Sequence, residues 1–215
     1  MSLKLYYHPL SSYCMKVLTA LYEKDLAFEA KLVNFGDPEE NARFTEMWPI
    51  RKFPVLQDGA RDRLITESTP IIEYLELHYP GKAQLLPTNP EMAHEARWFD
   101  RFFDLHVHTH MQKIVGDKLR PEGKKDGFGV EEAVTKLRTA YSVLESRLKD
   151  RIWATGDQYT LADCSASPAL FYANLNLPLG AEHPSVSRYL ERLMNRPSFA
   201  RAIEEAKPYF HMVPK

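Results

Sequence analysis

The feature that most limits what this chain can fold into is a change of hydrophobic period near residue 80. Before it, short β-rich runs alternate with helical patterns; after it, nearly every periodic segment repeats at helical spacing. The two regimes meet in HYPGKAQLLPTNPEM, where Pro80, Gly81, Pro87, Asn89 and Pro90 interrupt either period. The sequence thus predicts a first domain over 1–80, a linker over 81–90 and an all-helical domain over 91–215. A chain of 215 residues is long enough to bury a core in each.

Within the first domain, Leu3–Tyr7 reads as a strand. Tyr13–Lys24 reads as a helix, with Val17, Leu18, Leu21 and Tyr22 at helical spacing behind candidate N-caps Ser11 and Ser12. Ala27–Val33 alternates apolar with polar as a second strand. Asp37-Pro38-Glu39-Glu40 then offers a cap, a first-turn proline and acidic side chains for a second helix. Pro54–Gln57 and Arg63–Thr66 are short strands around an Asp58-Gly59 hairpin signal, and Glu67–Tyr79 closes as a helix. The order βαβ then ββα implies a four-stranded mixed sheet with helices packed on it.

In the second domain, Glu91–Ile114 and Val130–Lys149 read as long neighbouring helices, with Trp98, Phe102, Phe103 and Leu105 making a broad apolar face on the first. RPEGKKDGFG between them reads as an exposed loop. Thr160 and Asp163 form a capping box opening a helix that runs through Cys164 to about Ala173, with a kink expected at Pro168. Val186–Asn195 and Ser198–Ala206 follow as shorter helices, and the tail PYFHMVPK carries Tyr209 and Phe210 as covering groups.

Composition removes several function classes. With 28 Lys+Arg against 29 Asp+Glu the formal net charge is −1, so there is no sequence-wide electrostatic case for nucleic acid or an anionic membrane surface. No apolar run approaches the roughly 20 residues a bilayer span needs. The two cysteines, Cys14 and Cys164, stand far apart, and MSLKLYYHPL lacks the apolar core of a secretion signal; a reducing, cytoplasmic home is expected.

Three short constellations offer chemistry. Pro9-Leu10-Ser11-Ser12-Tyr13-Cys14 falls between the first strand and first helix, where βα units bind ligands. Orphan backbone N–H groups there attract anions and a Ser hydroxyl can donate to a thiolate or carboxylate, although a plain Ser cap accounts for the same residues. Arg51-Lys52-Phe53-Pro54-Val55-Leu56 places a proline at a strand entry. A cis Phe53–Pro54 bond would turn the N–H and C=O of Val55 outward, to pair with a peptide-like ligand as another strand would. In Thr66-Glu67-Ser68-Thr69-Pro70, Glu67 can accept from an ammonium and Ser68 can bind a carboxylate at the helix start. Such a pair reads both ends of an amino acid; Ser68 or Thr69 as a helix cap with Pro70 in the first turn also explains the segment.

All three constellations, in this order in one small α/β domain followed by a linker and a helical domain, resemble the cytosolic glutathione transferase family over nearly the whole chain. The resemblance implies an α/β thioredoxin-like N-terminal domain, an all-α C-terminal domain carrying the electrophile pocket, glutathione as cosubstrate without a metal, and a homodimer. Ser11 matches the catalytic serine of the theta, delta and related serine-type classes, which activates the thiol, and Ser12 the adjacent candidate of zeta-like members. Lys52 matches the position that holds the glycine carboxylate and Val55 the one that holds the cysteinyl backbone, with Phe53 and Pro54 in the same segment. Glu67 and Ser68 share the γ-glutamyl group. Thr160 and Asp163 match the family's interior capping box, a folding element. Arg51 and Tyr13-Cys14 depart from the pattern, which leaves the class open. Ser11 to Cys14 also resembles a thioredoxin Cys-x-x-Cys loop with its first Cys replaced, which argues against disulfide exchange.

The implied activity is conjugation of the glutathione thiolate to a small hydrophobic electrophile. A glutathione-dependent isomerase or dehalogenase would use the same thiolate, and a non-catalytic binding or regulatory relative would keep the fold alone. Lowering a thiol from ~8.5 by about 2 units takes roughly 2.7 kcal/mol, within reach of one hydroxyl donating to a charged acceptor at ~1.5–3 kcal/mol. Tyr13, His106 and His110 are expected to border the electrophile pocket. His106 and His110 also sit one helical turn apart, a spacing compatible with a metal, but nothing near them completes a ligand set and no metal is expected.

Overall fold

The structure, a computed structural model, describes residues 2–214. β1 (Leu3–Tyr7), α1 (Ser12–Glu23) and β2 (Glu29–Leu32) form the first unit. α2 (Pro38–Met47) leads to β3 (Val55–Asp58) and β4 (Arg63–Thr66), and α3 (Ser68–His78) closes it. The sheet runs β2-β1-β3-β4, with β1 parallel to β2 and antiparallel to β3, and β3 antiparallel to β4. Leu5 holds the centre, opposite Ala30 on one side and Leu56 on the other. The local signals for these elements are present as read: the Asp37 carboxylate accepts from the N–H groups of Glu39 and Glu40 at 2.9 and 3.1 Å, with Pro38 in the first turn.

The Asp58-Gly59 signal does mark a hairpin, but β3 ends at Asp58 and β4 resumes only at Arg63. The longer loop is set by Asp58 itself. Its fully buried carboxylate accepts from the Ala60 N–H at 2.9 Å and from the hydroxyls of Tyr74 and Tyr79 at 2.8 and 2.5 Å, so it is committed to holding the loop against α3.

The helical part comprises α4 (Pro90–Phe102), a π-helical segment (Phe103–His108), α5 (Thr109–Lys118), α6 (Gly127–Leu148), α7 (Leu161–Asn176), α8 (Pro184–Met194) and α9 (Pro197–Ala206), followed by a 3-10 tail (Lys207–Met212). The single long helix expected over 91–114 is therefore divided. Its backbone stays in the right-handed helical region at Phe102, Phe103 and Thr109, but the π segment widens the turn and shifts the register of every side chain beyond it. α7 continues through Pro168 to Asn176, further than the sequence implied. It opens on the capping box, with the Thr160 N–H donating to Asp163 at 2.8 Å. Burial pushes the Asp163 carboxyl up to about 6 against the hydrogen bonds from Ala154, Tyr189 and Thr160 that favour its charged form.

One apolar core spans both parts. Leu18 and Leu21 of α1 belong to the same buried cluster as Phe99, Tyr141 and Phe199, while Val33, Phe44 and Val55 make a smaller core on the other face of the sheet. α1 also carries the polar joints. The Lys16 ammonium, fully buried, bonds Asp100 at 2.6 Å, Asp104 at 3.0 Å and Thr69 at 2.9 Å. Asp100 accepts in addition from Thr69 at 2.8 Å and from Ser165. A second joint pairs Glu23 with Arg196 through two contacts of 2.7 Å. Replacing Lys16 by Met would leave two buried carboxylates without their cation. We expect a loss of about 3–5 kcal/mol, read as a lower urea midpoint at unchanged slope.

Candidate functional site

A cavity of about 420 Å³ lies where the start of α1, the segment before β3 and the β4–α3 junction face α4, the π segment and α5. The first unit contributes Tyr13, Lys52, Phe53, Pro54, Glu67, Ser68, Thr69 and Pro70; the helical part contributes Arg101, Asp104, Leu105, Thr109 and Gln112. Five of the residues expected to hold a ligand, namely Lys52, Phe53, Pro54, Glu67 and Ser68, thus share one wall system, and Tyr13 joins them.

The junction at Glu67 is conformationally demanding. Glu67 has φ 67° and ψ 131°, a region an L-residue occupies at a cost of about 1–3 kcal/mol. Its carbonyl accepts from the Ile71 N–H at 3.0 Å and starts α3, yet its side chain makes no capping bond. Glu67 is exposed and lines the cavity at the head of α3, whose first N–H groups favour an anion. A cap at Ser68 or Thr69 is not what forms: Glu67 takes the cap position without a side-chain bond, Ser68 and Thr69 lie inside α3, and the Thr69 hydroxyl donates to Asp100 instead.

At Ser11 they combine. Its Oγ accepts from the Cys14 N–H at 3.3 Å and caps α1. A hydroxyl that accepts in this way still has its proton to give, so one residue can be both cap and donor. Ser12, the first residue of α1, is buried. Cys14 is buried as well, and burial pushes its thiol up to about 12 despite the Ser11 hydrogen bond, so it is no nucleophile. The loop ahead of α1 is held from the helical part. The Tyr172 hydroxyl donates to the Leu10 carbonyl at 2.9 Å, and Tyr209 of the tail meets the His8 ring edge-on at 5.3 Å between centroids. His8 stacks in turn on Phe53 at 6.1 Å, so the tail covers the β1–α1 loop next to the cavity wall.

Three expectations are corrected. Val55 does not line the cavity: it lies inside the sheet between Tyr6 of β1 and Thr66 of β4, its side chain in the smaller core, so no outward strand edge remains there. The Phe53–Pro54 bond is cis, as the strand-entry proline allows, and Lys52, Phe53 and Pro54 of this segment line the cavity. His106 and His110 do not line the cavity either. His106 is exposed against Phe102 and His110 is half-buried, because the π segment turns Leu105, Thr109 and Gln112 to that side instead. Leu105, expected on the apolar face, is instead an exposed wall residue, and a regular helical wheel carried through the π segment does not bring Asp104, Thr109 and Gln112 to this side; Arg101, at the end of α4 before the π segment, carries no local signal either.

Comparison with known proteins matches this architecture. The family model described as glutathione S-transferase, N-terminal domain, matches residues 5–83, and that of the glutathione S-transferase C-terminal domain matches residues 102–197. A glutathione S-transferase of Hyoscyamus muticus is 33% identical over 218 residues, covering 95% of this chain and 99% of the relative. A probable maleylacetoacetate isomerase of Caenorhabditis elegans is 35% identical over 211 residues, covering 95% and 94%. Among solved structures, a glutathione S-transferase from Methylobacillus flagellatus with GSH bound superposes with a TM-score of 0.85 at 27% identity, over 94% of this chain and 98% of that one. The chain belongs to the glutathione S-transferase family.

The strain at Glu67 can be measured by comparing Glu67→Gly with Glu67→Ala. Both remove the carboxylate, but only glycine relieves the positive φ, against its own greater chain entropy when unfolded. The glycine variant is expected to be the more stable by about 1 kcal/mol in denaturant titration; equal stabilities would show that the junction carries no backbone strain.

Proposed function

We propose that the cavity binds glutathione and that the protein transfers its thiolate to a small electrophile. The observation that carries this is the convergence of Lys52, Phe53, Pro54, Glu67 and Ser68 on the cavity that also receives Tyr13 from the start of α1. In this reading the Lys52 ammonium takes the glycine carboxylate, and the backbone of Phe53 pairs with the cysteinyl unit in place of Val55. Glu67 accepts from the γ-glutamyl ammonium while Ser68 and the α3 N-terminus hold its carboxylate. The sulfur then lies toward the start of α1, where the Ser11 proton is available and the helix dipole favours negative charge. Ser12, buried behind it, is the reserve donor. The thiolate is the nucleophile, and the protein supplies orientation and partial desolvation.

A glutathione-dependent isomerase is the second reading. It is favoured by the 35% identity to the probable maleylacetoacetate isomerase and needs the same thiolate. We place the protein in the cytoplasm, consistent with Cys14 and Cys164 both being free and buried. We also propose a homodimer, supported by Leu64 of β4 and Leu77 of α3, large apolar side chains left exposed. Light scattering at micromolar concentration should give twice the 24.9 kDa chain mass; the single-chain mass would end that proposal.

The test of the site is the ultraviolet absorbance of the glutathione thiolate, titrated with pH in the presence of protein, with S-methylglutathione as the thiol-free control. The apparent pKa of the bound thiol should fall about 2 units below ~8.5. Ser11→Ala should return it toward the free value and lower turnover about tenfold or more, with glutathione affinity within a few fold. A bound thiol that titrates like free glutathione would defeat the reading.

A further inference from the structure

We propose that His8, which does not line the cavity, is a positioning residue for Ser11: its ring nitrogen Nδ1 holds the loop that carries Ser11, and a proton taken up at that nitrogen releases the loop. The inference rests on the glutathione reading above, in which Ser11 donates to the thiolate, and adds to it a residue and an acid dependence that the reading does not contain.

The bonds of the loop between β1 and α1 can be followed one by one. Pro9 has no amide proton, so Leu10 is the first residue beyond His8 that can donate one. The Leu10 N–H donates to Nδ1 of His8 at 3.2 Å, and the next amide, that of Ser11, donates to the His8 carbonyl at 3.0 Å. On the far side the Leu10 carbonyl accepts from Tyr172, and the Ser11 hydroxyl oxygen caps α1. His8 thus engages both amides that precede the first turn of α1, one with its side chain and one with its backbone. Ser11 is not among the residues that line the cavity, so the placement of this loop decides whether its hydroxyl reaches a sulfur there.

A histidine at this position makes the arrangement sensitive to acid. With Nδ1 accepting, the ring is neutral and carries its proton on Nε2. Once protonated, both nitrogens are donors, and Nδ1–H faces the Leu10 N–H with no lone pair between them. The ring is packed from two sides, stacked on Phe53 and met edge-on by Tyr209 of the tail. Burial there holds its pKa below the ordinary histidine value. The side chains that face it or its loop among the described residues are Phe53, Tyr209, Tyr172 of α7 and Cys14 of α1, none of them a carboxylate or a cation. The charged groups of the same elements are directed elsewhere: Arg51 lies over Phe35, Lys52 lines the cavity, Lys16 of α1 meets Asp100 and Asp104, and Lys207 of the tail pairs with Glu204. Nothing offsets the charge that acid places on the ring, and the Leu10 bond is what it breaks. Ser11 then leaves its fixed place, while the residues of the cavity wall are untouched.

The experiment is the ultraviolet titration of glutathione thiolate bound to the full chain, run on the unaltered protein, His8→Ala and His8→Asn, with S-methylglutathione as the control. The amide oxygen of asparagine can accept from the amide two residues on, as Nδ1 does, yet asparagine has no ring to pack and does not titrate. His8→Ala should lower the ionisation constant of the bound thiol about tenfold with glutathione affinity within a few fold, and His8→Asn should restore the constant to within about twofold. In the unaltered protein thiolate should be lost on acidification more steeply than a one-proton curve allows, because His8 and the thiol titrate together; in His8→Asn the one-proton curve should return. An alanine variant that ionises the thiol as the unaltered protein does overturns the proposal. So does an asparagine variant as poor as alanine, which would make the ring a packing group. Equal steepness in the unaltered and asparagine proteins overturns it as well, and that comparison stands even where His8→Ala does not fold. Each of these results leaves the glutathione reading intact, whereas an unaltered protein that leaves the thiol of glutathione unshifted removes that reading and this inference with it.

Discussion

The geometry of this protein depends on one buried cation. Lys16 lies in the middle of α1 with no access to solvent, and an ammonium so placed persists in charged form only if carboxylates surround it. Asp100 and Asp104 do so, with Thr69 completing the shell. These partners come from α4, the π segment and α3, the elements whose neighbouring residues line the cavity. Tyr13 lies one turn before Lys16, Ser68 precedes Thr69, and Asp104 itself forms part of the wall. A buried ion pair adds little net stability over well-packed apolar groups. Its value here is positional: the directions of its hydrogen bonds allow the two parts of the chain one mutual placement, and a site assembled from both needs tolerances of that order.

The π segment is the second constraint. Within it Asp104 reaches Lys16 while His108 turns inward behind Tyr13, and Leu105, with Thr109 just beyond, meets the cavity. An unbroken α-helix would distribute these side chains at 100° steps, and the same residues would not face the same neighbours. His106 and His110 were read as pocket residues on that regular wheel, and their displacement to the outer side follows from the wider turn. Nothing in the local composition of FDLHVH marks the change, because the widening is stabilised by what the segment packs against.

Other parts of the site were legible because their causes are local. The place of Ser11 before an apolar-periodic run marks it as a cap, and it caps α1, though neither it nor Ser12 is among the residues that line the cavity. Glu67 and Ser68 were named from a strand-to-helix junction, and both face the cavity; the positive φ at Glu67, which only the folded chain imposes, carried no sequence mark. In the segment before β3, Lys52, Phe53 and Pro54 line the cavity as the sequence implies, whereas Val55 does not. The choice between Val55 and Phe53 depends on where β1 and β4 stop pairing, and that register is set across the sheet.

By itself the sequence determined the alternation of strands and helices in the first part, the helical character of the second, the caps at Ser11, Asp37 and Thr160, and two of the segments that line the cavity, at Lys52–Pro54 and Glu67–Pro70. Each of these follows from backbone propensity, hydrophobic period or a side chain reaching its own neighbouring amide, forces that act within a turn or two of chain. Only the tertiary structure decided that Lys16 would be buried between two aspartates, that the helix over 91–114 would widen at Phe103, and that Tyr13 would stand between His108 and the cavity. Those outcomes join residues tens of positions apart through burial and charge pairing. Their free energy exists only once the distant surfaces meet, so no window of sequence contains it.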